Sequence, residues 1–439
     1  MSSSSYHSPD SLSTVPKMGI VETIRSQFII LCTVACIAGA ISWVASSAVC
    51  VAVVSKDLDD FWFNADCPQV YAQMTSFTSK EHGRVRRHPF FSLITTPIIV
   101  GLGSRLPLTH DTLIRGYLAI CSAFSGVLIY LVCFRIVKSS VAAIVWTCLF
   151  LTSSSFVFWC CVPDTHCFAS PTMIFPLVVL GYSNALQPKQ YLFTLSTLIS
   201  LAVTATNAMS GVVCTLLGLS PKSAIESLKS VVCFSVFLVV LQITIINPTK
   251  TGIFFINNPQ SEMQWVDKPD TVGLISKSRA ILIVGAVMPQ VETWDNIPKA
   301  SRHSAIPDVY PHAGVDVQAS PFTNVGKVAV VVWLMLLSLS VYAGLTHLAH
   351  RDKLFIAITS VALIQLLFHS VYGPVTFIYS ANYGPMFLLF SIYSYTTRFK
   401  HLALWSAVGL ICLQAYNNGS QFLLCVDILK QIGVSSGGA

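Results

Sequence analysis

Hydrophobic and polar positions in this chain fall in long blocks, with little residue-by-residue alternation. Apolar runs nearly free of charge occupy 27 to 54, 112 to 134, 140 to 161, 168 to 186, 191 to 219, 230 to 247, 328 to 346, 354 to 371, 373 to 396 and 402 to 416. Most reach the length of about 18 or more residues that lets a helix cross a bilayer. A weaker apolar piece at 89 to 106 is interrupted by Pro97, Gly101, Gly103 and Arg105. The expected fold is an all-α polytopic membrane protein with about eleven transmembrane helices (10 to 12) and short external helices at the membrane edge. The blocks divide the chain into a cytoplasmic tail (1 to 26), an N-terminal transmembrane module (27 to 247) containing an external loop at 55 to 88, an external loop or cap (248 to 327), and a C-terminal transmembrane module (328 to 439).

Lys and Arg collect on cytoplasmic loops, so their positions orient the spans. His350, Arg351 and Lys353 mark one inner turn and Arg398 with Lys400 another, which places 248 to 327 outside. Lys189, Lys222 and Lys229 then lie inside, so 191 to 219 enters and leaves on one side as a hairpin of two short helices meeting near Thr206 and Asn207. Such broken helices are tolerated where they are buried in protein or line a cavity. Going back further, Arg135 and Lys138 lie inside and Asp164 outside. The first run, preceded by Lys17 and Arg25, reads as an uncleaved signal anchor, which makes 89 to 106 re-entrant or interfacial; an ordinary short span is the competing arrangement. The segment 248 to 327, with its apolar island at Ala280 to Val287, reads as short helices lying against the membrane surface.

Composition agrees with the blocks: 54% of residues are apolar and only 10% charged, against roughly 25% charged in soluble domains. A soluble globular protein is excluded. The net charge of +7 follows from the positive-inside rule and gives no reason to expect nucleic acid. Most of the 14 cysteines lie in apolar runs, where they act as small hydrophobes. Cys67, Cys160, Cys161 and Cys167 fall nearer the expected surface, where pairing is open to them.

Charge is concentrated between Lys56 and Pro89. Asp57, Asp59, Asp60 and Asp66 follow the first span, and Arg84, Arg86, Arg87 and His88 precede the next apolar piece. A carboxylate at the membrane edge is costly and marks a functional candidate, although a solvated collar at a helix end would look the same. If this loop is helical, Asp59 and Asp66 share a face, with Phe61, Phe63 and Tyr71 forming an aromatic side suited to the interface. Three external arginines run against the positive-inside rule and invite a specific role. Asp164, in Pro163-Asp164-Thr165-His166, is either a helix cap or a second acidic site group. Asn207 sits in the broken hairpin, and His369, Tyr372, Tyr379, Asn382 and Tyr383 cluster at the outer ends of later runs, as interface anchors or as cavity lining. Asn417 and Asn418 read as polar termination of the last span, and Asn418-Gly419-Ser420 fits a glycosylation acceptor. No nucleotide-binding loop, zinc-protease motif or Ser-His-Asp set is present in the sequence.

The ordered series Asp59-Asp60-Phe61-Trp62-Phe63-Asn64-Ala65-Asp66, Arg87-His88-Pro89-Phe90-Phe91 and Pro163-Asp164 resembles the GT-C glycosyltransferase superfamily. That group includes the bacterial aminoarabinose transferases and the protein O-mannosyltransferases. The similarity covers residues 27 to 215; beyond that only the succession of spans is alike. Position 164 departs from the family pattern in carrying Asp where Pro-Glu is frequent. The resemblance implies transfer of a sugar from a polyprenyl-phosphate donor to a glycan, lipid or protein acceptor, at the external, periplasmic face of a bacterial plasma membrane. Asp59 or Asp60 would be the base, with Asp66 and Asp164 completing the catalytic set. Arg84, Arg86, Arg87 and His88 would hold the donor phosphate, and Asn207, Tyr372, Tyr379 and Tyr383 would line the substrate site. No cofactor is implied, a divalent metal ion being the lesser alternative. A transporter or flippase for a lipid-linked sugar, or an O-antigen polymerase or ligase, are the competing functions.

Overall fold

Backbone amides and carbonyls that leave water must bond within their own segment, so apolar blocks become helices. The computed structural model describes residues 19–55, 61–82, 88–186, 189–246, 266, 271–293, 314–318, 320–348, 352–373 and 375–436. A short α1 (Ile20–Ser26) leads to α2 (Phe28–Val53), α3 (Cys67–Thr75), α4 (Phe91–Gly103), α5 (His110–Val137), α6 (Ser140–Thr152) and α7 (Ser154–Trp159). A tight turn at Thr165–Phe168 opens α8 (Ala169–Leu186), followed by α9 (Gln190–Val203), α10 (Ala208–Gly218) and α11 (Pro221–Ile245). Then come α12 (Thr271–Arg279), α13 (Asn324–Ala343), α14 (Lys353–Val371), α15 (Ser380–Ser391) and α16 (Lys400–Ser436). Among the described residues, extended pairing is limited to Glu292–Thr293 against Val315–Asp316 and a bridge between Val266 and Tyr372.

The chain is an all-α membrane protein. Six helical runs are long and apolar enough to cross a membrane: Phe28–Val53, His110–Val137, Thr165–Ser183, Pro221–Ile245, Asn324–Thr346 and Lys353–Val371. Four apolar helices are shorter: Phe91–Gly103, Ser140–Thr152, Gln190–Val203 and Ala205–Gly218. At 1.5 Å per residue a helix of 13 residues reaches about 20 Å, well short of a hydrocarbon core of about 30 Å. Against the expected ten to twelve spans, length and composition support these six among the described residues.

The packing between helices depends on small residues, as expected where lipid gives no hydrophobic drive for association. On α5, a Cβ at Gly126 would lie 3.1 Å from Ala38 Cβ and 3.2 Å from Val34 on α2. α9 and α10 fold back on each other more tightly still. A Cβ at Gly211 would lie 2.5 Å from Thr197 Cα. Hydroxyls link this hairpin to α8, Ser200 donating to the Thr172 carbonyl and Ser210 to the Met173 carbonyl, each at 2.7 Å.

Two apolar blocks are broken, and the sequence explains how. Ser153 ends α6 and caps α7: its hydroxyl donates to Phe150 O at 2.7 Å and accepts from Phe156 N at 3.4 Å. The freed amides of Ser154 and Ser155 donate to the carbonyls of Ala286 and Gly285 at 3.2 and 2.9 Å. The second break is at Thr204, which is extended (φ −149, ψ 136) between α9 and a turn at Ala205–Asn207.

Four sequence expectations are corrected here. The apolar island at Ala280–Val287 lies inside the core, with Ala280, Ile281, Val284 and Val287 at 0–1% exposure, and not on a surface. Asn417 and Asn418 do not terminate a span; they are buried within α16, which continues to Ser436. Residues 61–64 form a turn, with Phe63 and Asn64 in the left-handed region (φ 51 and 65). Residues 61–64 are therefore not helical, Asp59 lies outside the described residues, and Phe61 and Phe63 are buried away from any interface. Phe63 packs edge-on against Phe158 and Phe377 at 5.5 and 5.0 Å, and the Trp62 indole donates to Phe158 O at 2.9 Å. Finally, Cys67, Cys160, Cys161 and Cys167 are buried away from the surface.

The non-helical stretch after the island is held by side chains of α16. Gln414, Asn417, Asn418 and Gln421 follow the i, i+3, i+4, i+7 spacing of one helix face. Gln414 and Asn418 donate to Ala286 O at 2.9 and 3.0 Å, and Asn417 donates to Met288 O at 2.7 Å. Met288 N donates to Asn418 Oδ1 at 2.8 Å, and Val291 N to Gln421 Oε1 at 2.9 Å. Irregular backbone at membrane depth persists only with such substitutes.

Candidate substrate site

The site is built where three chain breaks meet. α9 stops at Val203 because Thr204 turns extended, and this leaves the carbonyls of Ala202 and Val203 without helical donors. The segment entering α4 supplies them: Phe90 N donates to Ala202 O at 3.0 Å, and His88 Nδ1 lies 2.9 Å from Val203 O and 3.2 Å from Thr204 Oγ1. A carbonyl only accepts, so Nδ1 carries a proton, and Nε2 faces the other way. There it meets Thr165 Oγ1 at 3.4 Å. The Thr165 hydroxyl donates to Asp164 Oδ1 at 3.1 Å.

Asp164 caps the turn with one oxygen and keeps the other out of that cap. Its Oδ1 caps the turn Thr165–Phe168 by accepting from His166 N at 3.0 Å. Oδ2 is buried and has no hydrogen-bond partner among the described residues. The cap fixes one oxygen and leaves the other free to accept a proton. His166 curls back so that its Nε2 lies 3.6 Å from Oδ1. The imidazole is edge-on to Trp159 and Tyr379, each at 5.5 Å between ring centroids.

From Tyr379 the ring contacts continue into α14. Tyr379 stacks on His369 at 4.4 Å and 21° and approaches Tyr372 at 6.3 Å. Tyr372 in turn stacks on Phe368 at 4.9 Å. Lys277 is buried on α12, which packs against α14. Rings from α7, α14 and the turn Thr376–Tyr379 thus adjoin the Asp164 turn.

The sequence-expected residues divide into three groups. Asp59, Asp60, Arg84, Arg86 and Arg87 lie outside the described residues. His88, Asp164 and Asn207 are brought together around the 203–207 break, with Asn207 buried, its amide donating to Thr172 Oγ1 at 3.3 Å and its Oδ1 without a partner among the described residues. Tyr372 and Tyr379 join this group through the rings. Tyr383 joins it as well: it is fully buried, its ring lies 5.9 Å from that of His369 and its hydroxyl donates to Thr376 O at 3.2 Å, while Asp66 is half-buried at the start of α3. Thr165, Thr204, Lys277 and Gln365 have no role in the sequence reading; His166 appears there only as a neighbour of Asp164, and His369 only as a polar group at a helix end. The signal available for Gln365 and His369 was an i, i+4 polar couple in an otherwise apolar helix.

No family model matches the chain, and no curated protein matches it.

Proposed function

We propose that the chain is a membrane glycosyltransferase, moving a sugar from a polyprenyl-phosphate donor to a glycan, lipid or protein acceptor at the external face of a bacterial plasma membrane. The observation that carries this reading is the meeting of His88, Asp164 and the 203–207 helix break, with one carboxylate oxygen of Asp164 buried and without a partner among the described residues. In such a transfer a carboxylate takes the proton from the acceptor hydroxyl. The acceptor oxygen bonds to the anomeric carbon as the bond to the donor phosphate oxygen breaks, and the phosphate leaves on its lipid. Asp59 or Asp60 in the preceding loop, or Asp164, has the chemistry of that base. Arg84, Arg86, Arg87 and His88 carry the groups that stabilise a departing phosphate, arginine doing so in bidentate fashion.

An apolar groove of about 540 Å³ lined by α13, α14 and α15, including Leu337, Val341, Phe355, Leu363 and Phe390, supports a lipid-linked donor. It reaches Leu366, next to Gln365 and less than one turn from His369. The test replaces Asp59, Asp60, Asp66 and Asp164 singly by Asn in purified protein and follows sugar release from a synthetic polyprenyl-phosphate donor. Loss of transfer in at least one variant is expected; wild-type transfer in all four refutes the assignment.

A further inference from the structure

The interior stripe of α14 runs Leu354, Ile358, Val361, Gln365 and His369, each about one turn after the last and all buried. Three aliphatic side chains give way to two polar ones. Gln365 is 0% and His369 1% exposed, and all four side-chain polar atoms of the pair lack hydrogen-bond partners among the described residues. Leaving such atoms unpaired is costly enough that a helix serving only to pack would carry Leu or Phe here. The position of the pair gives it a use. His369 stacks on Tyr379, Tyr379 meets His166, and His166 lies against Asp164, so the unpaired groups extend directly from the proposed reaction centre.

We propose that Gln365 and His369 hydrogen-bond the hydroxyl groups of the transferred sugar ring, an assignment that rests on the transferase reading above. The chemistry of the pair selects hydroxyls over phosphate. A side-chain amide and a neutral imidazole each present both a donor and an acceptor, matching O–H groups that do the same, whereas a phosphate dianion only accepts. The alternative occupant is ordered water.

Gln365→Leu and His369→Phe in the purified full chain separate these cases, because both remove polar atoms while keeping bulk and, at 369, the ring that stacks on Tyr379. Three readouts are taken: melting temperature without ligand, binding of methyl hexosides and methyl pentosides by saturation-transfer NMR, and sugar release from the synthetic donor. The expected result is a melting temperature at or above wild type with sugar binding weakened roughly tenfold per lost hydrogen bond. His369→Asn, which keeps a donor and an acceptor, should recover part of it. Unchanged glycoside binding in both apolar variants overturns the proposal in favour of water, even if transfer itself is confirmed. Glycoside binding that is lost in the variants, with no transfer by wild type, leaves the hydroxyl site standing and refutes the transferase. Absence of both binding and transfer in wild type overturns both. Should His369→Phe fail to fold, Gln365→Leu decides alone.

Discussion

Gly211→Ala is the sharpest test of how the helix break is held. The added Cβ would sit 2.5 Å from Thr197 Cα, 2.8 Å from its Cβ and 2.7 Å from its Oγ1. Ordinary carbon contacts are about 3.5 Å or longer, so α9 and α10 must separate by about 1 Å. Overpacking of this kind costs about 1–3 kcal/mol, and the upper end applies because no rotamer moves a Cα. Replacing helical Gly by Ala returns about 1 kcal/mol, leaving a net loss of about 2 kcal/mol, roughly thirtyfold in the folding equilibrium. The measurement is unfolding in mixed micelles followed by tryptophan fluorescence. Gly409→Ala serves as the internal control, since nothing lies within 4 Å of its Cβ position, and it should be neutral or mildly stabilising. Thr197→Ala in the Gly211→Ala background should rescue little, because it removes Oγ1 but not the backbone contact. Wild-type stability of Gly211→Ala, or full rescue by Thr197→Ala, would refute the reasoning.

Other outcomes follow from polar groups outside the spans and from α16. His82 Nε2 donates to Ser76 O at 2.7 Å and Nδ1 accepts from Ser92 Oγ at 3.0 Å, and burial holds the imidazole pKa below its ordinary 6.5. The neutral ring therefore stabilises the fold fully above about pH 6.5, and that contribution is lost as pH falls below it; denaturation midpoints should drop on acidification in wild type and drop less in His82→Gln. Asn418→Ala strands Met288 N–H and the Thr152 carbonyl, which Asn418 holds at 2.8 Å each, and should cost about 3 kcal/mol in the same unfolding assay. Because Asn418 is fully buried, intact-mass measurement after expression in a glycosylating host should show no glycan at this sequon. Tyr71→Phe removes the hydroxyl that donates to Asp111 Oδ1 at 2.6 Å, tying α3 to the first turn of α5, and should lower stability by about 1 kcal/mol.

The parts of the molecule legible in the sequence are those where polarity interrupts hydrophobicity. Thr206 and Asn207 inside an apolar run, with lysines on both flanks, located the broken hairpin, and Pro163-Asp164 located the capped turn. Spacing could not reveal the turn at Phe61–Asn64, because it depends on a non-glycine residue held at positive φ by aromatic packing with Phe158 and Phe377 from distant segments. Nor could it rank Gln365 and His369. Which face of α14 turns inward is decided by its neighbours, and the ring that connects His369 to Asp164 belongs to a separate turn. The island at Ala280–Val287 misled for a related reason: a short apolar stretch in a polar context suits an interfacial helix as well as a core insertion, and only the amide face of α16 distinguishes them.

That amide face also imposes a timetable on the chain. The partners of Ala286 and Met288 on α16 lie 128 to 132 positions further along. At translation rates of about 5–20 residues per second, the stretch emerges roughly 6–25 s before the groups that will satisfy it. Until then its amides and carbonyls must stay in water or be shielded by another protein. Completion of the interior is thus postponed until α16 has been made, and a ribosome stalled before Gln414 would leave a chain with its first helices inserted and its centre open.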